Sequence, residues 1–238
     1  WRNGQFAIYD HSTLTQIAGF LHFGTNNGYI CCFSPDGGTI ATGGGNSEVV
    51  LHRTRPVEPL GIVPQQGKVV TSAFVASGMA AVALGNQVNV YDCSGSGSNS
   101  NSNSNSESTK PVMSVKAEEE LRHLVEISPD GKLLAFSQRS NKSAKVYNIA
   151  SQSEVTTLAF KGGCDGVRWS PAGSYLVAWG GFGAKVFDTA TFNEIATISD
   201  PNYYIGDCIV SPDEKLIATC GASAQVNLRQ LPNPSEEP

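Results

Sequence analysis

The sequence predicts an all-β protein assembled from repeated units of four short antiparallel strands. Three observations support this prediction: apolar runs end at a nearly fixed step, a Ser-Pro-Asp-Gly turn follows these runs, and 25 glycines and 12 prolines occur without a collagen period. Such a density of glycine and proline is typical of many short strands joined by tight turns.

The clearest copy of the unit begins with an apolar run that ends at Ile127. The turn Ser128-Pro129-Asp130-Gly131 follows, and Leu133 to Phe136 form a second apolar run. Proline presets φ in such a turn, and Asp-Gly supplies its polar and permissive positions. An uninterrupted apolar run predicts a strand that is buried on both faces. Variants of the turn recur at Ser34-Pro35-Asp36-Gly37, Ser170-Pro171-Ala172-Gly173 and Ser211-Pro212-Asp213-Glu214, and in shortened form at Ala76-Ser77-Gly78.

The ends of the first strands in these units are regularly spaced. They fall at Phe33, Phe74, Ile127, Trp169 and Val210, with steps of 41, 53, 42 and 41 residues. The long step contains residues 94–109, a Ser/Asn-rich insert without apolar side chains, which we expect to be disordered. Without its Gly/Ser/Asn stretch from Ser94 to Ser106, the long step falls to about 40 residues and the period is near 41. Such a period with four strands per unit indicates the four-stranded antiparallel blades of a β-propeller.

The period divides the chain into successive blades. We expect a partial first blade at residues 1–21, blades near 28–63, 68–116, 121–160, 165–198 and 205–231, and a tail at 232–238. The first blade has only a third and an outer strand, and the last ends after its third strand. Five to six blades are therefore present, and we expect residues before Trp1 or another chain to complete a larger, seven-bladed propeller. Because the end blades leave strand edges unpaired, we expect the isolated segment to associate or aggregate.

Composition and charge argue against several classes of protein. The formal net charge is −5, from 16 basic and 21 acidic residues, which argues against a broad nucleic-acid-binding surface. The apolar runs are too short to cross a bilayer, so membrane insertion is not expected. The six cysteines show no C-x₂-C spacing, and most lie in apolar strand-like runs. We interpret them as reduced core residues, which predicts an intracellular location, cytoplasmic or nuclear.

Aromatic–acidic pairs at the ends of third strands indicate a family resemblance. The pairs are Tyr9-Asp10, Tyr91-Asp92 and Phe187-Asp188, with Tyr147-Asn148 as a variant. They stand where the WD40-repeat family has its Trp-Asp dipeptide, and Ile40-Ala41-Thr42-Gly43 and the Ser-Pro-Asp-Gly turns also fit. The chain outside the insert therefore resembles a divergent WD40-repeat protein. It lacks both Trp-Asp and the Gly-His dipeptide, so we do not expect the family's Asp-His-Ser-Trp network. Six-bladed peptidase-associated propellers, which share the turn, are a weaker match.

The sequence contains no recognisable catalytic, cofactor-binding or metal-binding motif. The four histidines, His11, His22, His52 and His123, are scattered, and there is no Gly-x-Ser-x-Gly elbow. Gly43-Gly44-Gly45 lacks the lysine and helix of a phosphate-binding loop. We therefore predict no catalytic residue, cofactor, metal or small-molecule substrate.

Aromatic and basic residues in the inter-strand connections are the candidate partner-binding residues. In the WD40 family, the loops that enter first strands and those that join second to third strands lie on one face of the propeller. The resemblance places these residues there: Tyr203, Tyr204, Trp179, Phe182, Arg139 and Lys142. Arg168, on an innermost strand, is expected at the channel or the rim of this patch. Exposed aromatic residues are typical binding anchors, although one tyrosine packing between blades is an equally good interpretation.

These features predict a non-catalytic scaffold. Its loop face would dock other proteins, in a multi-protein or an RNA–protein assembly. The alternative is the propeller of a hydrolase or peptidase that gates a catalytic domain outside this segment. The missing nucleophile elbow, the cysteine usage and the aromatic–acidic pairs favour the scaffold.

Overall fold

The structure is a computed structural model, and it confirms the all-β prediction. It describes residues 5–21, 28–34, 36–44, 48–54, 57–64, 69–76, 78–92, 110–118, 121, 125–138, 140, 142–160, 163–181, 183–199, 204–222 and 225–231. Within these ranges the chain forms 21 strands and no helix. The predicted insert, residues 94–109, and the predicted tail, residues 232–238, lie outside the described residues.

The described strands form six antiparallel sheets, in each of which the strands pair in chain order. The first sheet has two strands, the sixth has three, and the other four sheets have four strands each. From the first sheet to the sixth, the strands are β1 Gln5–Tyr9 and β2 Gln16–Leu21; β3 Gly28–Phe33, β4 Thr39–Gly44, β5 Glu48–Thr54 and β6 Val57–Pro64; β7 Val69–Ala76, β8 Met79–Leu84, β9 Gln87–Asp92 and β10 Met113–Lys116; β11 Val125–Ile127, β12 Leu133–Gln138, β13 Ser143–Asn148 and β14 Ser153–Ala159; β15 Gly166–Trp169, β16 Tyr175–Gly180, β17 Gly183–Asp188 and β18 Glu194–Ser199; β19 Ile205–Val210, β20 Leu216–Gly221 and β21 Val226–Gln230.

The turns between first and second strands share one hydrogen bond. In the second, fourth, fifth and sixth sheets, a serine hydroxyl accepts the backbone N–H of the residue five positions later, at 2.9 Å in each case. In three of these turns the same hydroxyl donates to an aspartate two residues on: Ser34 to Asp36, Ser128 to Asp130 and Ser211 to Asp213. The Ser-Pro-Asp-Gly signature therefore has a structural role, because the serine and the aspartate fix the turn together.

The turn of the fifth sheet obtains its carboxylate from the sixth sheet. Ala172 stands where the other turns have aspartate, and its backbone N–H donates at 2.8 Å to Oε1 of Glu214. Glu214 stands where the other turns have glycine and has a left-handed φ of 56°. Burial acts to raise the pKa of Glu214, but hydrogen bonds from the Ser170 and Ser174 hydroxyls and from the backbone of Ala172 and Ser174 together hold it below its ordinary value. Glu214 thus adopts a backbone conformation that glycine prefers, and in this conformation its side chain stabilises the turn of the neighbouring sheet.

The turns between third and fourth strands also repeat. The side chains of Asp10, Asn148 and Asp188 each accept the backbone N–H of the residue three positions later, at 2.9 Å. A residue with φ between 54° and 57° follows in each turn: Leu14, Gln152 or Phe192. A β-bulge precedes each turn at the aromatic residue. β1 and β2 share all three features with β13–β14 and β17–β18, so the first sheet matches the third and fourth strands of the fourth and fifth sheets.

From the second sheet to the sixth, consecutive sheets pack face to face. The first strands of the second to sixth sheets contact one another in order, β3 with β7, β7 with β11, β11 with β15 and β15 with β19. Separate apolar clusters fill the spaces between the third and fourth, fourth and fifth, and fifth and sixth sheets. Strand β16 is buried along its whole length, and β12 is buried from Leu134 onward. In the fourth and fifth sheets, the apolar run after this turn therefore forms a strand with two buried faces, as expected for Leu133 to Phe136.

Candidate interaction surface

Two types of connection meet at one end of the fifth and sixth sheets. The hydroxyl of Tyr204, which precedes β19, donates at 2.8 Å to Oδ2 of Asp165, which precedes β15. The backbone N–H of Gly181, between β16 and β17, donates to the same oxygen at 3.3 Å. The carbonyl oxygen of Gly181 in turn accepts the N–H of Ile205 at 2.9 Å. The loops that enter neighbouring first strands and the loop between second and third strands are therefore joined to one another.

Close backbone approach explains two glycines beside these loops. A Cβ atom on Gly180 would lie 2.0 Å from the carbonyl oxygen of Gly163, and one on Gly221 would lie 1.8 Å from that of Tyr204. Both glycines end a second strand, where the loop that enters the first strand passes against them. Any side chain at these two positions would push the loop away from the sheet. The positions of the loops are thus set by the strand ends beneath them.

Tyr204 lies between two sheets. It is half-buried, and its hydroxyl is bonded to Asp165 of the fifth sheet. Asp165 itself is only 5% exposed, and its N–H donates to the carbonyl oxygen of Trp179 at 2.7 Å. The position of Tyr204 therefore fits a tyrosine that packs between neighbouring units better than it fits an anchor that projects freely into solvent.

The exposed position expected for Trp179 is wrong. This residue belongs to strand β16, is 1% exposed, and donates its indole N–H to the carbonyl oxygen of Gly206 at 3.1 Å. Its ring also lies against Gly166, where an added Cβ atom would come within 2.3 Å of it. The side chain points from the end of its strand into the space between the fifth and sixth sheets. Trp179 is a core residue and does not form an exposed patch with Tyr204.

Arg168, which is expected on an innermost strand at the channel or the rim of the patch, links three sheets. Its Nε donates to Glu126 of β11 at 3.2 Å, and its Nη1 donates to Asp207 of β19 at 3.0 Å and to the carbonyl oxygen of Cys208 at 2.8 Å. The guanidinium carbon lies 5.6 Å from the centre of the Trp179 ring. Arg168 therefore joins the first strands of the fourth, fifth and sixth sheets instead of presenting its charge to a partner.

Glu126 is the buried member of this network. It is 5% exposed, and its second oxygen accepts the backbone N–H of Trp169 at 2.9 Å. Burial raises the pKa of Glu126 to about 7, although the charge of Arg168 and the hydrogen bond from Trp169 act to lower it. Burial acts to lower the pKa of Arg168, but the carboxylates of Glu126 and Asp207 raise it above its ordinary value. The network thus holds a carboxyl group that titrates near neutral pH.

The remaining predicted residues fall into two groups. Lys142 is exposed, has a φ of 52°, and accepts the N–H of Phe160 on its carbonyl oxygen at 2.6 Å. Its ammonium group can therefore reach a partner while its backbone extends the pairing of β13 with β14. Tyr203, Phe182 and Arg139 lie outside the described residues, so the patch proposed from the sequence is only partly placed.

Sequence reasoning did not single out Glu126, Asp165 or Asp207. A signal for Glu126 was present, since a carboxylate stands between Val125 and Ile127 in an apolar strand. Its partner Arg168 precedes Trp169 as Glu126 precedes Ile127, so the two residues occupy the same position in consecutive units. Comparing units position by position would have paired them.

The described cysteines and acidic residues show no feature of a metal or redox centre. Five cysteines are free thiols, and the described part of the chain holds no group of three or more His, Cys, Asp or Glu residues that could bind a metal. Burial, together with the charge of Asp165, raises the pKa of Cys164 to about 12. Burial likewise raises the pKa of Cys208. The thiol form of these two core cysteines is therefore favoured, which makes them poor nucleophiles.

The sequence matches no protein-family model, and it matches no curated protein. The part of the chain that the structure describes has no helix with the length and apolar character needed to cross a membrane.

Proposed function

We propose that this protein is a β-propeller of the WD40 type that acts as a non-catalytic scaffold. Three observations support this: consecutive four-stranded antiparallel sheets, the adjacent first strands, and the aromatic–acidic turn after third strands. In such a propeller each sheet is a blade. The loops that contain Tyr204 and Asp165 lie at the end of the blades that surrounds the mouth of the channel.

One observation carries the proposed docking role, namely the hydrogen bonds that join loops from neighbouring sheets. Tyr204, Asp165 and Gly181 hold three connections together by side-chain and backbone hydrogen bonds. A surface made of loops fixed to one another loses little conformational entropy on binding, which favours affinity for a partner. Lys142, in the corresponding connection of the fourth sheet, supplies an exposed positive charge on this loop face.

The partners that fit this surface are other proteins. A net charge of −5 does not favour a broad nucleic-acid contact, so RNA would be reached through protein partners in an RNA–protein assembly. Aromatic anchors and a rim charge are the usual energetic centres of such contacts. Tyr203, Phe182 and Arg139 are the candidates that would extend the surface beyond the described residues.

The test is affinity purification of the tagged chain, with partners identified by mass spectrometry and mapped by cross-linking. We expect cross-links at Lys142, and loss of the same partners from a Tyr203→Ala, Lys142→Glu double variant with an unchanged melting temperature. Lys132→Glu, an exposed change in the turn before β12, is the matched control. Partners that persist in the double variant would overturn the loop face as the docking site, and the absence of any specific partner would overturn the scaffold.

A further inference from the structure

Glu126 and Trp169 form a backbone link between the fourth and fifth sheets that lies outside the strand pairing. Strand β15 pairs with β16 of its own sheet, but the backbone N–H of Trp169 donates to Oε2 of Glu126 on β11, at 2.9 Å. The indole N–H of Trp169 also donates to the carbonyl oxygen of Glu126, at 3.4 Å. Both residues are 5% exposed, so water competes poorly for these bonds. The link therefore depends on the state of one buried carboxyl group.

Both oxygens of that carboxyl group accept N–H donors of β15. Oε2 accepts the backbone N–H of Trp169, and Oε1 accepts Nε of Arg168 at 3.2 Å. An ionised carboxylate accepts both bonds, because each of its oxygens is an acceptor. In the protonated acid one oxygen carries a hydrogen and becomes a donor, so it faces an N–H group as a poor acceptor. Protonation of Glu126 therefore breaks one of its two bonds to β15.

The charges around Glu126 decide which bond is broken. The described strands that pack against β11 are β7, β8, β12 and β15, and of these only β15 carries a charged residue that faces the carboxyl group, namely Arg168. Asp207 of β19 lies on the far side of the Arg168 guanidinium. A hydrogen bond from a cation is about twice as strong as one from a neutral donor, so Oε1 stays with Arg168 and the proton goes to Oε2. The released donor is the N–H of Trp169.

The next junction along the chain is built differently at the same position. Arg168 stands in the fifth sheet where Glu126 stands in the fourth, and its Nη1 donates to the carbonyl oxygen of Cys208 in the sixth sheet at 2.8 Å. A guanidinium keeps its charge throughout the physiological pH range, and the neighbouring carboxylates raise the pKa of Arg168 further. The junction between the fifth and sixth sheets is therefore independent of pH, whereas that between the fourth and fifth depends on a group that titrates.

We propose that Glu126 is a proton switch between the fourth and fifth sheets: its carboxylate holds the backbone of β15 to β11, and its protonated form releases the N–H of Trp169. The switch lies within the first strands and needs no partner on the loop face. Burial raises the pKa of Glu126 to about 7, so the change occurs around neutral pH. The loosening is local, because it costs one hydrogen bond while protonation removes a buried charge.

The test is amide hydrogen exchange of the whole chain, followed by NMR at about pH 8 and about pH 5.5. Each exchange rate is divided into that of an unstructured peptide of the same sequence at the same pH, which gives a protection factor free of the intrinsic pH dependence. We expect the protection factor of the Trp169 amide to fall about tenfold or more from the higher pH to the lower. The Tyr175 amide, which donates to the Ser170 hydroxyl at 2.9 Å, is the internal control and should change less than about twofold.

Two variants assign the change to Glu126. Glu126→Gln has one acceptor oxygen, as the protonated acid has, so its Trp169 amide should show the low protection at both pH values. Asp207→Asn is the matched control: it removes the exposed carboxylate of the network but leaves both oxygens of Glu126, so the fall in protection should persist.

The outcomes that overturn the switch are equally specific. A wild-type Trp169 amide that is equally protected at both pH values overturns it, and the wild-type measurement stands even if Glu126→Gln fails to fold. A fall of the same size in Glu126→Gln overturns it too, because another group would then be responsible. A Trp169 amide that stays protected while the Nε–H of Arg168 becomes exchangeable overturns the assignment of the released donor. The loop-face double variant should leave the result unchanged, so the docking site and the switch fail separately.

Discussion

The fifth and sixth sheets have the same local construction but different surroundings. All six residues of β16 are buried, whereas β20 alternates between buried and exposed positions, and Leu216 is 37% exposed. One face of the sixth sheet packs on the fifth through Ile217 and Val210, and its opposite face carries exposed apolar residues. The difference shows that a second strand is buried on both faces where a neighbouring sheet packs on each of them.

The largest expected effect comes from truncating one apolar residue in the packed space between the fifth and sixth sheets and one on the exposed face of the sixth sheet. Trp179→Ala should lower the free energy of unfolding by about 3–5 kcal/mol, because it empties a packed space between two sheets. Leu228→Ala should change it by no more than about 0.5 kcal/mol, since its side chain is mostly in solvent. Urea unfolding followed by tryptophan fluorescence for Leu228→Ala, and by circular dichroism for both, measures the two values. A large loss for Leu228→Ala would contradict the open face, and would indicate that another molecule covers it in solution.

The fold was predictable because its signals are local and repeated. A Ser-Pro turn recurs in four units, three of them with an aspartate after the proline, and an apolar run follows it, so that their spacing identifies the repeat. The site was less predictable because its contacts join residues about one repeat apart. Glu126 and Arg168 are 42 residues apart, and Asp165 and Tyr204 are 39 apart. Trp179 was misplaced for the same reason: it stands at the end of a strand beside a connection, and only the neighbouring sheet decides that its ring is buried.

The carboxyl group of Glu126 should make the stability of the link between the fourth, fifth and sixth sheets depend on pH, because its hydrogen-bond network joins these three sheets. Its folded-state pKa of about 7 lies above the ordinary value of 4.5, so the folded protein holds this proton more tightly than the unfolded chain. The stability contributed by this group is therefore complete below about pH 4.5 and is lost as the pH rises through about 7. Glu126→Gln should remove that part of the pH dependence while keeping an oxygen for Arg168. Melting temperatures of both proteins from pH 5 to 8 provide the check.

In that experiment the wild-type melting temperature should fall relative to that of Glu126→Gln as the pH rises. A difference that stays constant across this range would mean that Glu126 is ionised throughout. The Arg168 ion pair would then outweigh burial, and the network would be a permanent link between the three first strands. Asp207→Asn is the matched control, because it removes the exposed carboxylate of the same network.

The smallest expected effect concerns the fifth-sheet turn, whose carboxylate is supplied by Glu214 of the sixth sheet. Ala172→Asp would give the fifth-sheet turn its own carboxylate, and Glu214→Gly would relieve a left-handed conformation worth about 1 kcal/mol. Glu214→Gly alone should change stability little, because the relief is offset by the loss of hydrogen bonds to Ala172 and to the Ser170 and Ser174 hydroxyls. The double variant should be more stable than the wild type by about 1 kcal/mol, since it keeps the turn carboxylate and loses the strain. Urea unfolding of the four proteins forms a double-mutant cycle. Additive effects would show that Glu214 does not support the neighbouring turn, and that the two sheets are coupled only through their apolar faces and the Arg168 network.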